Sequence, residues 1–184
     1  MFKKIIQNHI EVAQSLFKIS IDIEEIADIC LKTITNNKKI LLCGNGGSAS
    51  DSTHLTAEFI GRFERNRKAL PAIDLTSNNS SITAIGNDYG FDKIFSRQIE
   101  GIGNQGDTLI AFSTSGRSKN VIEAIKAAKK KKLNTIFLTG NNMEISSILE
   151  CDKVINVESN NTARIQEMHI FIGHLICQYV EKKI

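Results

Sequence analysis

Two stretches of the sequence carry the residue types that hold a phosphate. In Ser113-Thr114-Ser115-Gly116-Arg117-Ser118, four hydroxyls fall within six residues. Each can donate a hydrogen bond to an anion, and a helix starting behind them adds free N–H groups and a partial positive charge. An ordinary helix cap needs only one Ser or Thr, so four favour a phosphate monoester. The second stretch is Gly44-Asn45-Gly46-Gly47-Ser48-Ala49. Its glycines let the backbone approach a ligand and take positive φ angles. The same string satisfies G-x-G-x-x-A, a variant of the dinucleotide fingerprint, which wants an acidic residue ending the second strand about 20 residues on. Asp74 is the nearest candidate; it comes late and does not end its apolar run. A separate hydroxyl-rich loop is also foreign to that motif, so a nucleotide-dependent reductase ranks lower and no nucleotide cofactor is expected.

Acid–base chemistry has fewer candidates. His54 and Glu58 are four apart in a helical pattern following the glycine stretch, and residues i and i+4 share a helix face. Arg62 continues the row, where it could fork onto phosphate or neutralise Glu58. The bland alternative is a solvent-facing His–Glu pair. Further on, His174 is embedded in apolar residues and by itself reads as a satisfied core histidine, and Gln166 reads as a helix-surface residue.

These groups need elements to position them. Residues 2–36 show three- and four-residue apolar spacing (Ile5, Ile6, Ile10, Ala13; then Ile23, Ile26, Ala27, Cys30), which predicts two amphipathic helices. Short apolar runs follow at 39–43, 72–75, 108–112, 135–138 and 154–157, separated mostly by helical patterns at 48–65, 78–101, 117–131 and 142–150, with a last helix over 161–182. Strands alternating with helices predict βαβ units and a parallel sheet. The glycine stretch, Ser77-Asn78-Asn79-Ser80 and the Ser113 stretch each follow a strand. They therefore share the carboxyl edge of the sheet, where such folds bind ligands.

Bulk properties narrow the class. With 184 residues, one domain spanning 1–184 is expected. A net charge of +3 does not imply nucleic acid, and Lys129 to Lys132 reads as a solvated helix end. Cys30, Cys43, Cys151 and Cys177 form no CxxC pair, and a chain this long needs no disulfide staple. No apolar stretch approaches the roughly 18 residues of a membrane helix, and the start of the chain does not read as a signal sequence. A cytoplasmic protein with no membrane partner is expected.

Several motifs together resemble the sugar isomerase (SIS) family. They are Gly44 to Ser48, Asp51, His54, Glu58, Gly61-Arg62-Phe63, Gly86-Asn87-Asp88-Tyr89-Gly90-Phe91, Phe95-Ser96-Arg97-Gln98, Ser113 to Gly116, and Arg164-Ile165-Gln166-Glu167 with His174. The combination is similar to the phosphoheptose isomerases within that family, over essentially the whole chain. The resemblance implies a three-layer α/β/α sandwich with a five-stranded parallel sheet (the flavodoxin-like SIS fold), plus two N-terminal helices over 1–36 that pack in the oligomer. It implies a homotetramer with active sites at subunit interfaces. The implied reaction converts D-sedoheptulose 7-phosphate to D-glycero-D-manno-heptose 7-phosphate, the first step toward ADP-heptose for surface polysaccharide.

By the same resemblance, Asn45, Gly46, Gly47, Ser48, Arg62, Asn87, Asp88, Ser113, Thr114, Ser115, Ser118 and Gln166 contact the phosphosugar. Glu58 is the general base and His174 its acid–base partner. Zinc maps to His54, Glu58, Gln166 and His174. Gln166 and His174 lie eight residues apart, about 12 Å along a helix, so sharing one ion demands full side-chain extension or a second chain. A zinc-ligating Glu58 is also a poorer base, because the cation stabilises its charged form. Two departures stand out: Ala163 replaces an aspartate found in some relatives, and Arg117 replaces a small polar residue, where it could add a phosphate contact. A non-catalytic SIS-fold regulator that binds sugar phosphates or proteins is the rival reading; it has no need of the full His54, Glu58, Gln166 and His174 set.

Overall fold

The computed structural model describes residues 1–141 and 151–184. Five strands, β1 (Ile40–Cys43), β2 (Ala72–Asp74), β3 (Thr108–Ser113), β4 (Asn134–Thr139) and β5 (Lys153–Asn156), form one sheet in the order β2-β1-β3-β4-β5. Every pair is parallel. The order reverses between β1 and β3, and ligand crevices open outside the carboxyl ends at such a switch point. β1 and β3 are buried along their whole length, as strands covered on both faces must be. Alternate side chains feed two cores. Ile40, Leu42, Ile110 and Phe112 join one, and Leu41, Cys43, Leu109 and Ala111 join the other.

The helices are α1 (Phe2–Ser15), α2 (Ser20–Thr35), α3 (Gly47–Ile60), α4 (Asn79–Tyr89), α5 (Ser96–Ile102), α6 (Lys119–Lys130) and α7 (Thr162–Lys183). Side chains of α1, α2, α3 and α7 pack in the first core, and those of α5 and α6 in the second. The expected three-layer sandwich with two added N-terminal helices is the observed one.

Two helical expectations need correction. The pattern over 48–65 stops at Ile60: Gly61 leaves helical geometry, and the chain then turns back toward β2. The pattern over 78–101 is two helices, split at Gly90, whose φ of 86° L side chains rarely adopt. The helical pattern at 142–150 lies outside the described residues.

One packing detail governs the site. A Cβ on Gly173 of α7 would lie 2.4 Å from Leu55 of α3, and Leu55 is itself buried. The missing side chain lets the two helices approach closely. Glycine inside a helix costs about 1 kcal/mol against alanine, so its place here has a packing reason.

Candidate functional site

α3 and α7 bring three donor side chains together. One ligand atom each from His54, Glu58 and His174 lies within 4.8 Å of the others. His54 Nε2 is 3.2 Å from Glu58 Oε1 and 3.3 Å from His174 Nε2. The i, i+4 spacing on α3 sets the first contact, and the close crossing at Gly173 sets the second. The Phe63 ring also lies against His174, tilted, with ring centroids 5.4 Å apart. Burial, then the neighbouring His54, hold His174 below the ordinary imidazole range, against an upward pull from Glu58. His174 is only half-buried at the helix crossing, so the core-histidine reading is wrong for it. The core histidine of α7 is His169, fully buried beside Phe112.

The trio fits a divalent metal. Bonds of about 2.05 Å from a tetrahedral zinc place neighbouring donor atoms about 3.3 Å apart, which matches the two separations above. Imidazole nitrogens and a carboxylate oxygen are also the donor types zinc prefers. Gln166 is placed elsewhere. Its amide lies against the glycine stretch, 2.4 Å from where a Cβ on Gly47 would stand. Gly47 is thus glycine for room, and Gly46 for its φ of 57°.

The hydroxyl loop sits at the end of β3. Ser113 Oγ donates to Ser118 Oγ over 3.0 Å, and Arg117 N–H donates to Ser115 Oγ. Ser118 sits at the N-cap of α6 but caps no amide of that helix, so the cap explanation of these hydroxyls loses support. Thr114, Ser115 and Arg117 line a polar cavity of about 270 Å³ closed by Ser159, Asn160 and Thr162. His54, Glu58 and His174 do not line it.

Other expected residues fall differently. Arg62 lies beyond the end of α3, exposed, with Nη1 on the Glu64 carbonyl. It therefore does not continue the His54–Glu58 row, because the helix that would carry it has ended. Asn87 and Asp88 are exposed on α4 and bond to each other over 2.8 Å. Asp74 does end β2, contrary to the sequence reading. Its carboxylate is buried and already accepts from Thr53, the Thr76 amide and the Thr76 hydroxyl, which disfavours a ribose contact.

Three residues to which the sequence analysis gave no role shape the site. Asn120 is buried and exchanges two 2.8 Å amide hydrogen bonds with Asn45, so the glycine stretch is pinned to the helix behind the hydroxyl loop. An Asn just inside a helix is an ordinary sight, and no local signal marks it. Asp51, one turn before His54, has one carboxylate oxygen buried without a partner; burial pushes it up to about 6, against His54. Gly173 was legible as an isolated glycine in an apolar helix pattern, which usually has a packing reason.

Comparison with known proteins adds the family. The SIS domain family matches residues 7–140. The chain is 47% identical to a phosphoheptose isomerase of Campylobacter concisus, over 99% of this chain and 98% of that one. It is 51% identical to one of Nitratiruptor sp., over 84% and 82%. The solved phosphoheptose isomerase from Neisseria gonorrhoeae superimposes with a TM-score of 0.90 at 41% identity, covering 98% of this chain and 97% of that one.

Proposed function

The chain belongs to the phosphoheptose isomerases of the SIS-domain family, and we propose that Glu58 and His174 carry the proton transfer of its aldose–ketose reaction. The reaction converts D-sedoheptulose 7-phosphate to D-glycero-D-manno-heptose 7-phosphate in heptose biosynthesis, toward ADP-heptose for surface polysaccharide. The convergence of Glu58, His54 and His174 within 4.8 Å carries this reading.

Isomerisation moves a proton between C1 and C2 through a cis-enediol. A base must lift a carbon-bound proton, and a donor must steady the enediolate. Glu58 is the carboxylate in the cluster and takes the base role. His174, kept neutral near pH 7 by its lowered pKa, has one N–H to offer the sugar oxygens and one lone pair to receive a proton. The phosphate of this substrate sits at the far end of the carbon chain from the reacting carbons. A hydroxyl cradle at Ser113, Thr114, Ser115 and Ser118, set apart from the acid–base pair, is what that substrate demands. Asn45, Gly46, Gly47, Ser48 and Gln166 are assigned as contacts for the sugar, with the Gln166 amide set against the glycine stretch.

Zinc is the metal we assign to the trio, with His54, Glu58 and His174 as ligands; Gln166, whose amide lies against the glycine stretch, is not among them. When bound, zinc supplies Lewis-acid polarisation of the carbonyl. Glu58 serves as base, and His174 as proton acceptor, only while they are not ligands. Elemental analysis of protein purified without added metal tests the assignment: absence of stoichiometric zinc, with full activity after chelation, rejects it.

A homotetramer with shared sites is supported by surfaces left uncovered in one chain. Phe2, Ile5, Ile6 and Phe17 are exposed, and an apolar groove of about 640 Å³ runs between α1, α2 and α7. α4, which carries Asn87 and Asp88, has no fully buried residue. A second copy would cover these faces and complete the sugar site. Among the described residues no helix is long and apolar enough to cross a membrane, which agrees with a cytoplasmic enzyme of one SIS domain. A regulator without catalysis has no use for the assembled trio. The deciding experiment mixes the purified protein with D-sedoheptulose 7-phosphate and follows the aldose phosphate by NMR; its absence overturns the proposal.

A further inference from the structure

The helices that carry the acid–base groups are joined at a second place, away from Gly173. Glu181 is buried on α7, seven residues beyond His174 and so on the same side of that helix, about two turns away. Its carboxylate accepts three backbone N–H groups: Phe63 at 3.0 Å, Glu64 at 2.7 Å and Arg65 at 2.9 Å. It also accepts Arg67 Nε at 3.0 Å. The rest of the Arg67 guanidinium faces α3. Nη2 donates to the Glu58 carbonyl at 2.7 Å and Nη1 to the Phe59 carbonyl at 2.8 Å. Those carbonyls belong to the last turn of α3, where acceptors lack partners within the helix and a cation is favoured; the Phe59 carbonyl also accepts the Leu70 amide at 3.0 Å. Gln178, between His174 and Glu181 in sequence, reaches the Glu64 carboxylate at 3.1 Å.

Two of the bonded residues are active-site neighbours. The backbone of Glu58 is held by Arg67, and Phe63, held by Glu181, lies against His174. We infer that Glu181 and Arg67 are positioning residues for catalysis: a buried clamp that fixes the spacing of α3 and α7, and with it the reach of Glu58 toward the atoms His174 serves. This rests on the roles given above to Glu58 and His174. A buried charge pair is a costly way to obtain stability alone, since apolar replacements of such pairs are often neutral or stabilising. Misplacement by about 1 Å can slow a reaction about 100-fold.

The test compares the whole protein with its Glu181→Gln and Arg67→Lys variants, beside Glu58→Gln. Turnover of sedoheptulose 7-phosphate is measured per folded enzyme, with folding read by circular dichroism and thermal melting. The clamp predicts kcat lower by about 10- to 100-fold in both variants, with KM within about twofold because the phosphate cradle is untouched. A kcat within twofold of the parent, even with a lowered melting temperature, reduces the clamp to a structural tie and overturns the inference. If Glu181→Gln does not fold, Arg67→Lys decides, since it keeps the charge and loses the fork. If Glu58→Gln is fully active, the site assignment falls and the clamp's catalytic role with it. An active parent, an inactive Glu58→Gln and an unimpaired clamp variant reject the clamp alone.

Discussion

α3 and α4 each carry residues proposed for the substrate site, yet they are held in opposite ways. α3 is fastened along its length: Leu55 and Phe59 are buried in the core, Gly173 admits it against α7, and Arg67 caps its end. α4 follows the next strand in the chain and has no fully buried residue, resting on the core only through the partly buried Ile82 and Ile85. Its Asn87 and Asp88 face solvent and satisfy each other. Acid–base chemistry demands geometry good to a fraction of an ångström, and the fastened α3 offers it to the proposed trio. Sugar recognition tolerates more adjustment, and the residues of α4 proposed for it stand on an exposed face.

The sharpest way to break this contrast is Glu58→Gln. It keeps the shape of α3 and removes the base, so kcat should fall by about 10² to 10⁴, with substrate binding retained by calorimetry. Near-normal turnover would show that the fastened helix is not the catalytic one.

His169 gives the next largest effect. Burial pushes it down to about 4, against a pull from the Thr139 backbone. The unfolded chain therefore binds a proton that the folded one refuses between about pH 6.5 and pH 4. Stability is fully present above that window and is lost as pH falls through it, by up to about 3 kcal/mol. His169→Leu should remove this dependence. Asp51, raised to about 6, works with the opposite sign but is common to both proteins. Parallel urea midpoints for the two proteins across the window would rule the effect out.

Gly173→Ala should overpack Leu55 and cost about 1–3 kcal/mol, and kcat should fall with it. A variant of unchanged melting temperature and rate would mean the helices are not in tight contact. The smallest effect on stability belongs to α4. Asp88→Asn should change it by less than about 0.5 kcal/mol while raising KM several-fold. An unchanged KM removes Asp88 from the sugar site.

Much of this arrangement was legible beforehand, for reasons that differ by residue. The strands announced themselves because a sheet covered on both faces needs unbroken apolar runs. His54 and Glu58 could be paired because the helix period is local. Arg62 was misplaced because nothing in a charged, polar run shows where a helix ends; Gly61 and the Glu181 clamp end it. His174 read by itself as a core histidine because, like His169 five residues before it, it lies in apolar surroundings. Only the packing of α7 on β3 and α3 separates a core ring from a half-buried one.

The order of elements, the hydroxyl cradle, the glycine stretch and the family were settled by the linear sequence, since each depends on composition and spacing within a few dozen residues. The meeting of His174 with Glu58, the pinning of Asn45 by Asn120 and the Glu181–Arg67 clamp were decided only by the tertiary structure. Those contacts join residues roughly 75 to 120 positions apart, and no short-range rule fixes which distant side chains a packed core will bring face to face.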